Sequence, residues 1–184
     1  MVLLFQIAKA KIPLNFSKHF GKDYVSYYKG LRILIRRIVN RQNRLMATIA
    51  DEDFVNKKDL YSFKLSDRNI DIKYILGLLN SKLFSYIYIS TSTIATKDDF
   101  RQTTLAELRR LPVLVSNNYQ KLSNLCDKML SLNKKLQEIG DKNTLEKQKI
   151  EEEIKKTDNE IDELVYQLYG ITEEEKKIIE ESLR

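Results

Sequence analysis

The sequence predicts an α+β fold, a small mixed sheet packed with helices and followed by a long antiparallel helical hairpin of coiled-coil type. Short stretches rich in β-branched and aromatic residues in the first half predict strands. Apolar residues recur at steps of three and four in the middle of the chain and in two long runs near its end, which predicts helices. With 184 residues and 42% hydrophobic content, the chain can bury a sizeable core.

Three stretches after Gly30 are predicted strands. They read ILIRRIV, RLMATIA and LYSFKLS, and β-branched and aromatic side chains pack well on a pleated surface. The polar clusters between them, NRQNR from Asn40 and DEDFVNKKD from Asp51, have the composition of turns. Much of the charge of this region therefore lies in predicted loops.

A helix is predicted from Asp71 to Ser90, because its apolar residues share one face. Asn69 or Asp71 can cap its amino end. A shorter helix is predicted from about Thr104, and it must end before Pro112, since the residue before a proline avoids helical backbone angles. The globular part is predicted to end there, which gives a first domain of residues 1–115.

Residues 116–184 are predicted to form the hairpin, with two helices of about 24 residues and about 35 Å each. Gly140 separates the helices, and Asn143 followed by Glu146 is the predicted cap of the second one. Thr172 with Glu175 predicts a capping box for a short final helix. The two apolar seams are Leu122, Leu125, Met129, Leu132, Leu136 and Ile139, then Ile150, Ile154, Thr157, Ile161, Leu164 and Leu168.

Charge is distributed unevenly along the chain. Residues 1–115 hold 20 Lys and Arg against 10 Asp and Glu, a net +10, whereas residues 116–184 hold 12 against 16, a net −4. Between Lys9 and Arg44, ten basic residues accompany a single acid, Asp23. A field of this sign attracts polyanions, and Tyr24, Tyr27 and Tyr28 among the cations could stack on bases. The first domain is therefore predicted to bind nucleic acid.

Candidate contact residues are the cations and amides of predicted loops, because Arg, Lys, Asn and Gln bind phosphates and read base edges. Arg36 and Arg37 are adjacent on a strand and should point to opposite faces, so at most one should share the binding surface. The best candidates for base contact are Arg41, Gln42, Asn43 and Arg44, followed by Lys57, Lys58, Lys97, Arg101 and Gln102.

Several motifs together resemble the TaqI-like C-terminal specificity domain of type IIG and related restriction-modification proteins. They are RILIRRI with RLMATIADEDFVNKKDLYSFKL, then IKYILGLLNSKLFSYIY, then ELRRLPV and IDELVYQLYGITEEEKKIIE, over roughly Lys29 to Glu180. The resemblance implies sequence-specific binding of double-stranded DNA that directs an associated adenine methyltransferase or endonuclease. It also implies a layout like that of type I specificity subunits, in which helical spacers hold recognition domains apart.

Catalysis by this chain is not expected. The Asn-Pro-Pro-Tyr type motif of such methyltransferases is absent, because the two prolines, Pro13 and Pro112, have no proline neighbour, and the five glycines are isolated. The acid-x-Lys pairs of a nuclease at Asp71 and Glu153 lie in predicted helices and not on strands. One histidine, His19, and one cysteine, Cys126, make no multi-residue metal site, so we expect neither a metal nor another cofactor.

Other functions remain open at this point. The main alternative is a non-catalytic protein-interaction scaffold with a helical hairpin and no role with nucleic acid, and an RNA-binding protein or antitoxin is a weaker one. The hairpin could also support a homodimer or dock a methyltransferase. Cysteine usage and the lack of a span of about 18 apolar residues predict a cytoplasmic protein, while the abrupt apolar start, VLLFQIA, is compatible with a fragment or split product of a larger enzyme.

Overall fold

The computed structural model describes residues 26–39, 42–67, 69–92, 102–114, 119–141 and 144–183. Over these residues the chain is an α+β protein, as predicted. A 3₁₀ turn (Ser26–Tyr28) precedes strands β1 (Arg32–Arg36), β2 (Ala47–Ala50) and β3 (Leu60–Phe63), and the helices are α1 (Ile72–Asn80), α2 (Lys82–Thr91), α3 (Leu105–Leu108), α4 (Tyr119–Ile139), α5 (Leu145–Tyr169) and α6 (Glu173–Ser182).

The three predicted strands form one sheet in the order β2-β1-β3. Central strand β1 pairs with both neighbours, so that Ile33 lies opposite Ile49 on one side and Phe63 on the other. The prediction was a mixed sheet, whereas the described strands pair only in antiparallel fashion. Beyond β1, an isolated bridge joins Ile38 to Gln102 and brings the segment before α3 to the end of the central strand.

The single helix predicted from Asp71 to Ser90 is two helices that meet at Ser81. Ser81 has extended backbone angles (φ −72°, ψ 156°), its N–H donates to the Leu78 carbonyl, and its hydroxyl accepts from the Phe84 N–H. It therefore ends α1 and caps α2, because a serine side chain competes with the helical backbone for hydrogen bonds. The predicted cap at Asp71 is confirmed, since its carboxylate accepts from the Lys73 N–H at 2.9 Å.

Helices α4 and α5 form the predicted hairpin, and Gly140 ends α4 in the left-handed region at φ +68°. The predicted cap, Asn143, lies outside the described residues. The residue that caps α5 is Thr144, whose hydroxyl accepts from the Lys147 N–H at 3.1 Å. The capping box at Thr172 and Glu175 is confirmed by both of its reciprocal bonds.

The hairpin packs directly on the rest of the described chain. Ile33 and Ile35 of β1, Leu78 of α1, Leu122 of α4 and Val165 of α5 are fully buried, and all belong to one continuous core. At Gly77 a Cβ would lie 2.8 Å from both Cys126 Sγ and Leu122 Cγ, so α1 and α4 approach as closely as a glycine permits. A shared core couples the hairpin to the sheet, and the division at residue 115 stays a prediction.

No described helix combines the length and the apolar character that crossing a membrane requires.

Candidate nucleic-acid interface

An open groove of about 490 Å³ lies beside the edge strand β3. Three cations and three tyrosines line it, and none of the described residues in its wall is acidic. We call it the basic groove. Its lining residues are Tyr27, Tyr28, Arg37, Asn56, Lys57, Lys58, Leu60, Tyr61, Ser62 and Leu105.

Backbone hydrogen bonds between neighbouring segments shape this groove. The Arg37 N–H donates to the Asp59 carbonyl at 2.9 Å, and the Leu60 N–H closes a turn onto the Lys57 carbonyl at 3.1 Å. The Ser62 hydroxyl donates to the Tyr27 carbonyl at 3.1 Å and ties the 3₁₀ turn to β3. The turn that holds Lys57 and Lys58 is thus fixed against the end of β1.

Two predicted contact residues, 65 positions apart in the sequence, meet beside the groove. The Arg37 guanidinium donates through Nη2 to the Gln102 Oε1 at 2.8 Å. The neighbouring Thr103 is buried, and its N–H donates to the Arg37 carbonyl at 2.6 Å. Tyr61 donates its hydroxyl to the Thr103 carbonyl at 3.1 Å. The sheet end therefore fixes both members of the Arg37 and Gln102 pair.

The cations of the groove keep their charge available. Among the described residues, no carboxylate lies within 4 Å of the Arg37, Lys57 or Lys58 side chains. Lys57 and Lys58 are exposed, and Arg37 is half-buried. A concave surface with one sign of charge raises the local concentration of a polyanion. The arrangement suits phosphate oxygens, with tyrosine rings beside them.

The other predicted contact residues lie elsewhere. Arg36 is half-buried and does not line the groove, and its Nη1 lies 3.7 Å from the Met46 Sδ. Gln42 is exposed and Asn43 adopts φ +55° in the turn before β2. Arg41, Lys97 and Arg101 lie outside the described residues.

Arg44, a leading candidate for base contact, points into the protein. Its Nη1 and Nη2 lie 3.5 Å from carboxylate oxygens of Asp162 and Asp158 on α5, and Nη2 also donates to the Asn80 carbonyl. Base contact by Arg44 stays a prediction, and the geometry argues against it because two carboxylates and a carbonyl already occupy the guanidinium.

Arg44 belongs to an interior charge cluster, which we define as Arg44, Lys82, Asp158, Asp162 and Glu180. Asp162 is buried and accepts the Lys82 N–H at 2.7 Å. Lys82 Nζ lies 2.9 Å from Glu180 and 3.5 Å from Asp162. Burial raises the pKa of the Asp162 carboxyl, while the Arg44 guanidinium lowers it. The cluster joins the start of β2, the start of α2 and the hairpin.

Arg32, one of the ten basic residues between Lys9 and Arg44, is a second cation that lies inside the protein. It is fully buried, donates to the carbonyls of Gly30, Glu52 and Phe54 at 2.8 to 3.1 Å, and lies 4.5 Å over the Phe54 ring. Burial lowers the pKa of its guanidinium, while Asp53 and Asp51 raise it. Of the described cations in this segment, Arg32 and Arg44 therefore lie in the interior and do not share a surface with Arg37.

Sequence reasoning does not single out Tyr61 or Asn56 of the groove, because Tyr61 reads only as part of a strand and Asn56 only as part of a turn. The Asn56 amide donates to the carbonyls of Leu60 at 2.6 Å and Lys57 at 3.3 Å and so holds the lysine turn. No local pattern marks either residue, because the pairing of β3 with β1 brings them to the groove.

In the part of the chain that the structure describes, no three His, Cys, Asp or Glu side chains group so as to hold a metal ion.

Comparison with known proteins identifies the family. The model of the TaqI-like C-terminal specificity domain matches residues 6–113, which include every lining residue of the basic groove. A Methanocaldococcus jannaschii protein named "Putative type II restriction enzyme and methyltransferase" is 45% identical over 164 residues, 88% of this chain and 13% of the relative. The chain thus spans about an eighth of that relative's length. Since the family model covers more than half of the chain, the chain belongs to the family of TaqI-like C-terminal specificity domains.

Proposed function

We propose that this chain binds double-stranded DNA sequence-specifically as the target-recognition part of a restriction-modification system. Membership of a specificity-domain family supports a role in DNA recognition. The observation that carries the proposal is the basic groove, where Arg37, Lys57 and Lys58 line one concavity without a described acid. Phosphate neutralisation by such cations supplies essentially all of the non-specific affinity of a DNA-binding protein and a large share of the specific affinity.

Within this proposal, Lys57 and Lys58 contact phosphates and fix the register of the duplex. Side chains around them read the bases, since phosphate contacts carry no sequence information. Of the residues predicted to contact bases, Arg37 lines the groove and Gln102 bonds to it, while Gln42 and Asn43 lie in the turn before β2. Arg41, Lys97 and Arg101, outside the described residues, stay proposed contacts.

Methyl transfer and cleavage belong, in this proposal, to an associated adenine methyltransferase or endonuclease. The relative's name combines a restriction enzyme with a methyltransferase, and this chain corresponds to 13% of it. We propose that the chain supplies the DNA recognition of a type IIG or type I-like assembly in the cytoplasm and does not itself catalyse a reaction.

We further propose that residues 116–184 act as spacer and as the interface of a homodimer. The outer side of the hairpin has an open groove in which Leu125 and Leu164 are flanked by charges of both signs, Lys121 and Lys156 with Glu160 and Glu163. A surface that carries both signs can pair with a second copy of itself across a two-fold axis. Sedimentation velocity measures the association, and a monomer at all concentrations would contradict it.

The proposed function is tested by the binding of duplex DNA against salt concentration. With a protein that makes phosphate contacts, the logarithm of affinity falls linearly with the logarithm of salt concentration. Replacing Lys57 and Lys58 by alanine should reduce the slope by about 2, since each contact contributes about 0.9. The matched control replaces the adjacent exposed pair Lys134 and Lys135 of α4 and should leave the slope unchanged.

If the wild-type chain binds no duplex, or if both double variants have the wild-type slope, the proposal fails. A chain that binds no DNA but still associates through its hairpin would favour the alternative, a protein-interaction scaffold.

A further inference from the structure

Arg37 is held by the protein at both its backbone and its side chain. Its N–H and carbonyl are bonded to Asp59 and Thr103, on two segments that flank the end of β1. The Thr103 hydroxyl adds bonds to the carbonyls of Arg36 at 3.0 Å and Arg37 at 3.2 Å. A side chain that starts from such a fixed point loses little freedom on binding, which favours selective recognition.

The contact with Gln102 fixes which chemical groups the pair presents. A guanidinium has five N–H donors and no acceptor, so the amide atom that faces it must be the Gln102 Oε1. One lone pair of the Gln102 Oε1 is thereby engaged, and the amide Nε2 remains as a donor.

Arg37 also lacks a competing anion in the described structure. It lines the basic groove, and no described carboxylate lies within salt-bridge distance of it. The guanidinium of Arg37 therefore offers hydrogen-bond donors only. The major-groove edge of guanine, with N7 and O6, offers two adjacent acceptors, whereas adenine offers one acceptor and one donor.

We propose that Arg37 recognises a guanine of the target sequence through its N7 and O6, with Gln102 as the positioning residue that orients the guanidinium. This inference rests on the proposed function and adds to it a specificity-determining residue and the base that it reads. Lys57 and Lys58 supply affinity for any sequence, while Arg37 selects one base.

The first test is selection from a randomised duplex library by the full chain and by the charge-conserving variant Arg37→Lys. A lysine keeps the positive charge but lacks the planar fork that makes two hydrogen bonds. The variant should retain the salt dependence of binding and lose the preference for guanine at one position by about tenfold or more. Arg109→Lys, at an exposed arginine outside the groove, is the control and should keep the preference.

A second test removes the acceptor from the DNA. In a selected duplex, 7-deazaguanine replaces the guanine at the sensitive position. The wild-type chain should lose affinity several-fold, and Arg37→Lys should lose clearly less, because a lysine lacks the planar fork and depends less on the N7 acceptor. Equal losses in both proteins would overturn the assignment of Arg37 to that base.

The role of Gln102 is tested by Gln102→Met, which removes the acceptor, and by Gln102→Glu, which restores it. The first should weaken the guanine preference, and the second should recover it relative to Met, even at a lower total affinity. An unchanged preference in Gln102→Met would overturn the positioning role.

The inference can fail while the proposed function holds. A wild-type chain that selects a target without guanine, or an Arg37→Lys variant with the wild-type preference, would overturn the inference alone. A wild-type chain that shows no base preference would overturn the inference together with sequence-specific recognition.

Discussion

The basic groove and the interior charge cluster use the same residue types for opposite purposes. In the groove, Lys57 and Lys58 are exposed and no described carboxylate pairs with them. In the cluster, Arg44 and Lys82 face carboxylates at 2.9 to 3.5 Å. Cations that are left unpaired attract a polyanion, whereas cations that meet a buried acid hold parts of the chain together.

The difference shows that a basic segment in a sequence is not yet a binding surface. Arg44 and Arg37 are seven residues apart in the same cationic run. Arg37 reaches the groove because it directly follows β1 beside the lysine turn, and Arg44 reaches α5 because it precedes β2 on the side covered by the hairpin. The following predictions test this division, in order of expected effect.

The largest effect is expected from Arg44→Met. It leaves Asp162, whose side chain is 2% exposed, without its guanidinium partner and with Lys82 as its remaining cation, and removing one partner of a buried ion pair is costly. The free energy of unfolding should fall by about 3 kcal/mol in a denaturant titration. The exposed Arg109→Met is the control and should change it by less than about 0.5 kcal/mol. An Arg44→Met variant that is as stable as the wild type but selects a different DNA target would contradict this prediction and support base contact by Arg44.

The second prediction concerns the coupling within the cluster. Adding Asp162→Leu to Arg44→Met removes the buried charge as well, so the double variant should recover about 2 kcal/mol relative to Arg44→Met alone. A double-mutant cycle, with Asp162→Leu as the other single variant, measures the coupling. Additive losses would mean that Arg44 stabilises the fold by packing and not by its charge.

Lys82→Met should lower the free energy of unfolding by a smaller amount, about 1 kcal/mol, in the same denaturant titration. The side chain of Lys82 is 25% exposed and so keeps part of its hydration. Its backbone N–H, which donates to Asp162 at 2.7 Å, is unchanged by the substitution. A loss as large as that of Arg44→Met would show that the two cations share the role equally.

The smallest effect on stability is expected for Lys57 and Lys58, whose replacement should affect DNA binding most. Replacing Lys57 and Lys58 by alanine removes two exposed charges without described partners, so the free energy of unfolding should change by less than about 0.5 kcal/mol. Thermal or denaturant unfolding checks this beside the salt titration. A loss of several kcal/mol would assign the two lysines a structural role and remove the contrast with the cluster.

Much of the fold follows from local pattern in this sequence. The alternation and β-branched content of ILIRRIV and ATIA predicted strands, and the three-and-four spacing predicted the long helices, because each element must turn its apolar residues to one side. Gly140, Thr172 and Asp71 acted as the local signals predicted. The split at Ser81 was missed, since an apolar helical period continues through a serine whose hydroxyl interrupts the helix.

The sequence by itself therefore determined the α+β class, the order of the elements, the hairpin and the positive charge of the first 115 residues. Only the tertiary structure decided which cations point outward. Arg37 and Gln102 meet across 65 residues because the segment before α3 bridges to the end of β1, and Arg44 meets Asp162 because the hairpin packs on the sheet. Net charge depends on composition, but the pairing of a charge depends on contacts between residues that are distant in the chain.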